Sequence, residues 1–180
     1  MTKIAILDDY QNAALKSADW QSLSGADIKV FNYFIEPGKR IDALKSFDII
    51  VLMRERTPFP KSLIQHLPNL KLLVTAGLRN LSIDMSAARE VGIDVCGTEM
   101  LGYPAFEHTW GLILALAKKI PMEDLAMKQG GWQQGYGIGL NGKTLGIIGL
   151  GKLGSKVAKV GIAFDMKVIA WSENLTRHRA

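Results

Sequence analysis

Gly149, Gly151 and Gly154 stand in the spacing G-x-G-x-x-G, directly after the apolar run Thr144-Leu145-Gly146-Ile147-Ile148. In that arrangement the first glycine permits a tight turn out of a strand. The second lets the backbone approach a diphosphate, and the third lets the next helix pack closely on the strand. The exposed N–H groups and the positive end of the helix then hold the negative charge. Leu153, Val157, Val160 and Phe164 fall on one side of the expected helix. After a turn at Phe164-Asp165-Met166, the run Lys167-Val168-Ile169-Ala170-Trp171 supplies a second strand. The glycine string alone is a weak signal, but set between strand, helix and strand it points to a dinucleotide. Gly149, Gly151, Lys152, Leu153 and Gly154 are therefore candidate cofactor-binding residues.

The end of the second strand should read the adenosine ribose, where an acidic residue favours the 2′-hydroxyl of NAD. Here the chain continues Ser172-Glu173-Asn174-Leu175-Thr176-Arg177. By count Ser172 takes the acidic position and Glu173 lies one step beyond. Ser172 with Asn174, Thr176 and Arg177 could accept a 2′-phosphate, whereas Glu173 would repel one. NAD and NADP both stay open, with a lean towards tolerance of NADP.

The elements that must position this loop alternate in type. Apolar runs at Ile4–Leu7, Ile28–Phe31, Ile49–Met53, Leu72–Thr75 and Ile93–Cys96 read as strands covered on both faces, because they lack polar alternation. Helices are expected near Gln11–Ala18, Arg40–Lys45, Lys61–Leu67 and Asp84–Val91, the last with Asp84 in its first turn and Gly92 past its end. Residues 1–99 thus form one doubly wound α/β domain, and residues 100–180 begin a second. The second opens with a long helix from about Ala105 to Ile120, stopped by Pro121, and another from Met122 to about Gln129. The glycine-rich stretch Gly135–Gly139 is an irregular connection.

The 180-residue composition, 48% hydrophobic and 22% charged, is that of a globular protein. Its net charge of +5 comes from scattered residues, without the basic stripe expected of a nucleic-acid binder. The N-terminal apolar run is too short for a signal peptide, and Thr109–Ala117 is too short to span a bilayer, so a cytoplasmic protein without membrane partners is expected. Cys96, the sole cysteine, fits a reducing compartment and is expected to be a buried small hydrophobe. No metal site is read.

Three motifs in order resemble the D-isomer-specific 2-hydroxyacid dehydrogenase family: Val74-Thr75-Ala76-Gly77-Leu78-Arg79-Asn80 with Ile83-Asp84, Phe106-Glu107-His108-Thr109-Trp110, and Leu140-Asn141-Gly142-Lys143-Thr144 leading into the glycine loop. The resemblance implies a flavodoxin-like parallel-sheet substrate domain followed by an incomplete Rossmann NAD(P)-binding domain, with the active site in the cleft between them. It implies an oxidoreductase that interconverts a small 2-hydroxy acid and a 2-oxo acid. Ala76, Gly77 and Leu78 would offer backbone N–H groups to the substrate carboxylate, and Thr109 would face the nicotinamide. Arg79 departs from the acidic residue of many relatives, and Arg54 and Arg56 are either cleft residues or solvated loop arginines. The long helix at 105–120 resembles the family's dimer-forming element, implying a homodimer.

Hydride chemistry on a 2-oxo acid needs a cation for the carboxylate and an acid for the alkoxide. In the family these are an Arg and a His paired with a Glu, all downstream of the second strand of the cofactor domain. His66, His108 and His178 do not lie in the matching contexts, and Glu107 beside His108 points another way on its helix. The 180 residues thus read as a truncated product or a fragment, inactive alone. The alternative is a non-catalytic nucleotide-binding or dimerisation module.

Overall fold

Apolar runs too short for a helix suit the strands of a parallel sheet, and five of them become parallel strands: β1 (Thr2–Ile6), β2 (Ala26–Val30), β3 (Ile49–Leu52), β4 (Leu72–Thr75) and β5 (Asp94–Gly97), with polar Asp27, Lys29 and Asp94 on the two edge strands β2 and β5. The computed structural model describes residues 1–176 and divides the chain into two units, Met1–Met100 and Leu101–Ala180. Arg177 and His178, considered above, lie outside the described residues.

In the first unit the strand order is β2-β1-β3-β4-β5, all parallel, with Ile4 opposite both Ile28 and Ile49 and with Leu73 opposite Ile50 and Val95. The order reverses direction between β1 and β3, and it is outside the carboxyl ends of strands at such a switch point that α/β sheets bind ligands. Short helices α1 (Arg40–Leu44), α2 (Lys61–Ile64) and α3 (Met85–Glu90) bring Leu44, Leu63, Ile64, Ala87 and Ala88 into one core with Ala5, Ile50, Leu52 and Leu73. At the start of α3 the Asp84 carboxylate accepts the Ala87 N–H at 3.0 Å and the Ser86 hydroxyl at 2.8 Å, satisfying a first-turn donor. These bonds hold its pKa below the ordinary carboxylate value, the Ala87 N–H contributing most.

Two expectations fail in this unit. Gln11–Ala18 does not form an α-helix: it contains a single 3₁₀ turn at Ala14–Lys16. The reason lies just upstream, where the buried Asp9 carboxylate takes the N–H groups of Ala13 and Ala14 at 2.9 Å each and fixes a turn instead. Cys96 is exposed rather than buried, because β5 is one of the two edge strands of its sheet.

The second unit begins with α4 (Pro104–Ala117) and α5 (Ile120–Lys128). The helix expected over 105–120 therefore ends earlier, and Pro121 does not stop it. The break is Lys119, in the left-handed region at φ 57°, and Pro121 sits in the first turn of α5, where its missing N–H costs nothing. In the irregular segment after α5, Glu123 accepts the N–H groups of Gln134 and Gly135 at 2.9 and 3.0 Å. Then β6 (Thr144–Ile148), α6 (Lys152–Ala163) and β7 (Lys167–Trp171) form a parallel pair with its crossover helix, Thr144 opposite Lys167 and Ile148 opposite Trp171. Trp110 of α4 is buried, donates its indole N–H to the Val157 carbonyl at 3.3 Å, and stacks at a tilt on Phe164, 5.1 Å between ring centres. Leu145 and Val168 pack under α6, but the opposite face of the pair is open: Ile148 is 87% exposed, Ile169 62% and Trp171 66%. Among the described residues no helix is long and apolar enough to cross a membrane.

Candidate functional site

The candidate residues fall into two groups, one in each unit. In the second unit β6 runs into Gly149, whose φ of 96° turns the chain as few residues with a side chain allow. Its N–H donates to the Trp171 carbonyl at 2.7 Å, which joins the turn to the end of β7. Gly151 is the N-cap of α6 in extended conformation, and a Cβ there or at Gly149 would meet no atom within 4 Å. The approach to the loop is therefore open. A Cβ on Gly154, by contrast, would collide with the Gly149 carbonyl oxygen and press on Ile147 at 3.3 Å.

The first helical bond runs from the Ser155 N–H to the Gly151 carbonyl at 2.9 Å. The N–H groups of Lys152, Leu153 and Gly154 precede it and have no partner among the described residues. They point out of a twelve-residue helix at its positive end, the arrangement that holds a diphosphate. The loop thus fits a dinucleotide in donors, in space and in field.

Beyond β7, Ser172 is half-buried and its carbonyl accepts the Leu175 N–H at 3.0 Å, so Ser172–Leu175 closes a turn beside the glycine loop. Glu173, Asn174 and Thr176 are exposed on this turn and its continuation, and no cation pairs with Glu173 among the described residues. The fold brings these residues next to the loop through Trp171. It does not join Thr109 to them by any hydrogen bond among the described residues. Thr109 is exposed on α4, its hydroxyl donating to the Ala105 carbonyl at 2.8 Å, one residue before the buried Trp110.

Gly161, which no motif singles out, is buried on the inner face of α6, and a Cβ there would come within 2.7 Å of Leu145 Cδ2. It stands seven residues after Gly154, two turns along the same face, and that spacing was the available signal.

In the first unit the carboxyl ends of β1, β3, β4 and β5 gather the second group. Of the three expected carboxylate donors, the Ala76 N–H is held by the Leu52 carbonyl at 3.0 Å and the Gly77 N–H by the Thr98 hydroxyl at 3.1 Å. The Leu78 N–H has no partner among the described residues, and its side chain is exposed. Arg54, in the left-handed region at φ 57°, sets its guanidinium against this loop. A Cβ on Gly77 would lie 2.6 Å from Arg54 Nη1 and 3.0 Å from Met100 Sδ. Arg56 turns away: its Nη1 donates to the Asp8 carbonyl at 2.7 Å and its guanidinium lies 5.1 Å from the Tyr10 ring centre. The buried Asp8 carboxylate accepts the Thr57 hydroxyl at 2.7 Å and the Tyr10 hydroxyl at 3.0 Å. Tyr10 is held above its ordinary pKa, first by desolvation and then by this bond to Asp8.

Comparison with known proteins finds two family models in succession along the chain. Residues 4–109 match the family model of the D-isomer specific 2-hydroxyacid dehydrogenase catalytic domain, and residues 110–180 match that of the NAD binding domain. The border between the two matches falls inside α4, whereas the compact units part at Met100. A hydroxypyruvate reductase of Thermotoga maritima is 33% identical over 159 residues, covering 87% of this chain and 52% of that protein. A D-3-phosphoglycerate dehydrogenase of Methanocaldococcus jannaschii is 35% identical, covering 100% of this chain and 34% of its own length. Among solved structures, a phosphoglycerate oxidoreductase from Vibrio cholerae superimposes with a TM-score of 0.91 at 39% identity, covering all of this chain and 59% of that one. The chain thus spans about half, or less, of the curated relatives it matches.

Proposed function

The chain belongs to the D-isomer specific 2-hydroxyacid dehydrogenase family, and from that membership we propose that it serves an NAD(P)-dependent interconversion of a short 2-hydroxy acid and its 2-oxo acid. Oxidoreductases acting on a CH–OH group make up the family, and its cofactor is NAD(P). The observation that carries the proposal is the free donor set of Lys152, Leu153 and Gly154 behind an unobstructed Gly151. When bound, the nicotinamide supplies or accepts the hydride. The chain's own residues bind and orient. Gly149–Gly154 hold the diphosphate, and Ser172, Glu173, Asn174 and Thr176 read the adenosine ribose. Thr109 borders the nicotinamide.

Met1–Met100 serves as the substrate unit, with the Leu78 N–H and the Arg54 guanidinium receiving an anionic end of the acid. Ala76 and Gly77 shape the loop that presents Leu78. The relatives' names range from hydroxypyruvate to phosphoglycerate, so the substrate is proposed as that class. Residues 1–180 hold no Arg, Glu and His in the contexts the family uses for catalysis, and the 180-residue chain is inactive alone. A second copy packs on α4, where Leu112 and Leu116 are exposed, giving a homodimer.

Tryptophan fluorescence tests nucleotide binding, because Trp171 adjoins the loop. NADH or NADPH quenches it in the native chain. Gly151→Val, whose Cβ meets no neighbour within 4 Å yet narrows the approach, abolishes the response while leaving the thermal transition in place. Absence of any response to either nucleotide in the native chain would sink the proposal. Turnover of glyoxylate, hydroxypyruvate or pyruvate by the purified chain would overturn the inactivity, and a monomeric mass in solution would overturn the dimer.

A further inference from the structure

We infer that Asn80 is a positioning residue: it sets Arg54 beside Gly77 and Leu78, so that a guanidinium and a free backbone donor face one anion. The inference rests on the reading of that loop as substrate-binding.

Asn80 is buried, and its amide is fully used. Nδ2 donates to the Arg54 carbonyl at 2.8 Å and to the Thr75 hydroxyl at 2.9 Å, while Oδ1 accepts the Ser82 N–H at 2.9 Å and its hydroxyl at 2.6 Å. One side chain thus ties together the segment after β3, the end of β4 and the turn that follows the Gly77 loop. An amide has two donors and two acceptor sites, and all four are engaged.

Arg54 needs such a tie. Its φ of 57° is unfavourable for a residue with a side chain, so something must hold its backbone there. Among the described residues the one hydrogen bond on the Arg54 backbone is the bond from Asn80. The far end of the segment is anchored separately, by Arg56 and Thr57 on Asp8. The guanidinium itself is weakly committed. Nη1 donates to Met100 Sδ at 2.9 Å, and Nε lies 3.4 Å from the half-exposed Glu55 carboxylate. A thioether is a poor acceptor, and an exposed ion pair is easily exchanged, so an incoming carboxylate or phosphate outcompetes both. The Leu78 N–H stands in the same segment as Asn80, so one amide fixes both donors.

Asn80→Asp tests this, because it keeps the acceptor for Ser82 but replaces the Nδ2 donor with an oxygen facing the Arg54 carbonyl. In the ¹⁵N-labelled native chain, 3-phosphoglycerate shifts the Arg54 Nε–H and Leu78 amide resonances. Asn80→Asp moves both resonances without ligand and weakens 3-phosphoglycerate binding about tenfold. Ser82→Ala leaves binding nearly unchanged. In an Arg54→Ala background Asn80→Asp weakens binding less than it does in the native chain, as a residue acting partly through Arg54 requires. Additive losses, or resonances of Arg54 and Leu78 that stay in place, would overturn the inference. If Asn80→Asp does not fold, Asn80→Ser removes the same Arg54 contact. If 3-phosphoglycerate leaves the native spectrum unchanged, the substrate reading fails, and the unliganded resonances still decide for or against Asn80.

Discussion

The two units solve the same problem, burying a parallel sheet, to different extents. In Met1–Met100 the five strands and their helices enclose one cluster in which Ala5, Leu44, Ile50, Phe59 and Leu73 lose essentially all contact with solvent. In Leu101–Ala180 the strand pair is covered on the α6 side only, and Trp110 and Val157 are its buried large side chains among the described residues. Burial of apolar area is the main stabilising term, at ~25 cal/mol per Å². The first unit therefore carries most of the chain's stability, while the second carries the glycine loop on a half-covered sheet.

The largest expected effect is in the first core. Leu73→Ala, at a position with no exposure, costs about 2–5 kcal/mol, read from urea denaturation followed by far-ultraviolet circular dichroism. Ile169→Ala on the open face of β7 costs under ~0.5 kcal/mol in the same measurement. Equal losses at the two sites would abolish the contrast between the units.

A smaller effect separates the loop from the sheet beneath it. Gly154→Ala places a methyl against the Gly149 carbonyl, which is backbone and cannot rotate aside, at a cost of about 1–3 kcal/mol. Three of the four tryptophans, Trp110, Trp132 and Trp171, lie in the second unit, so the fluorescence transition should drop further than the circular dichroism transition. A common shift of both would mean that the units melt as one body.

The smallest effect sits at the rim of the first unit. Because the Asp84 carboxyl titrates below its ordinary value when folded, its stabilisation is complete above that value, near pH 4, and disappears as pH falls through the folded pKa. Asn also caps helices, so Asp84→Asn should lower the midpoint temperature slightly at pH 7. The gap to the native chain should close as the pH drops below about 4. A gap that widens in acid would refute the capping account.

What could be read from the sequence follows from range. The strands were legible because interior parallel strands are continuous apolar runs, and β4 matches its expected bounds residue for residue. The glycine loop was legible because its turn, N-cap and helix contact all fall within six residues. Helix ends were less so. The capture of the Ala13 and Ala14 N–H groups by Asp9 removed one helix, and Lys119 rather than Pro121 divided another. The Asn80–Arg54 bond spans 26 positions, and no local pattern announces it. Nor does spacing reveal that Ala76 and Gly77 have spent their N–H groups while Leu78 has no partner among the described residues, since the partners Leu52 and Thr98 come from β3 and from the residue after β5.

The bond from the Gly149 N–H to the Trp171 carbonyl has a kinetic consequence. It closes the glycine turn, proposed above to hold the diphosphate, onto β7 in the free chain, so on that proposal the turn does not have to be assembled during the encounter. Ordering a loop on binding slows association and weakens affinity. A turn already latched to its neighbouring strand leaves only the residues proposed to read the ribose, Ser172 to Thr176, to settle. Association should therefore follow a single phase whose rate rises linearly with nucleotide concentration, with no plateau from a slow rearrangement of the loop.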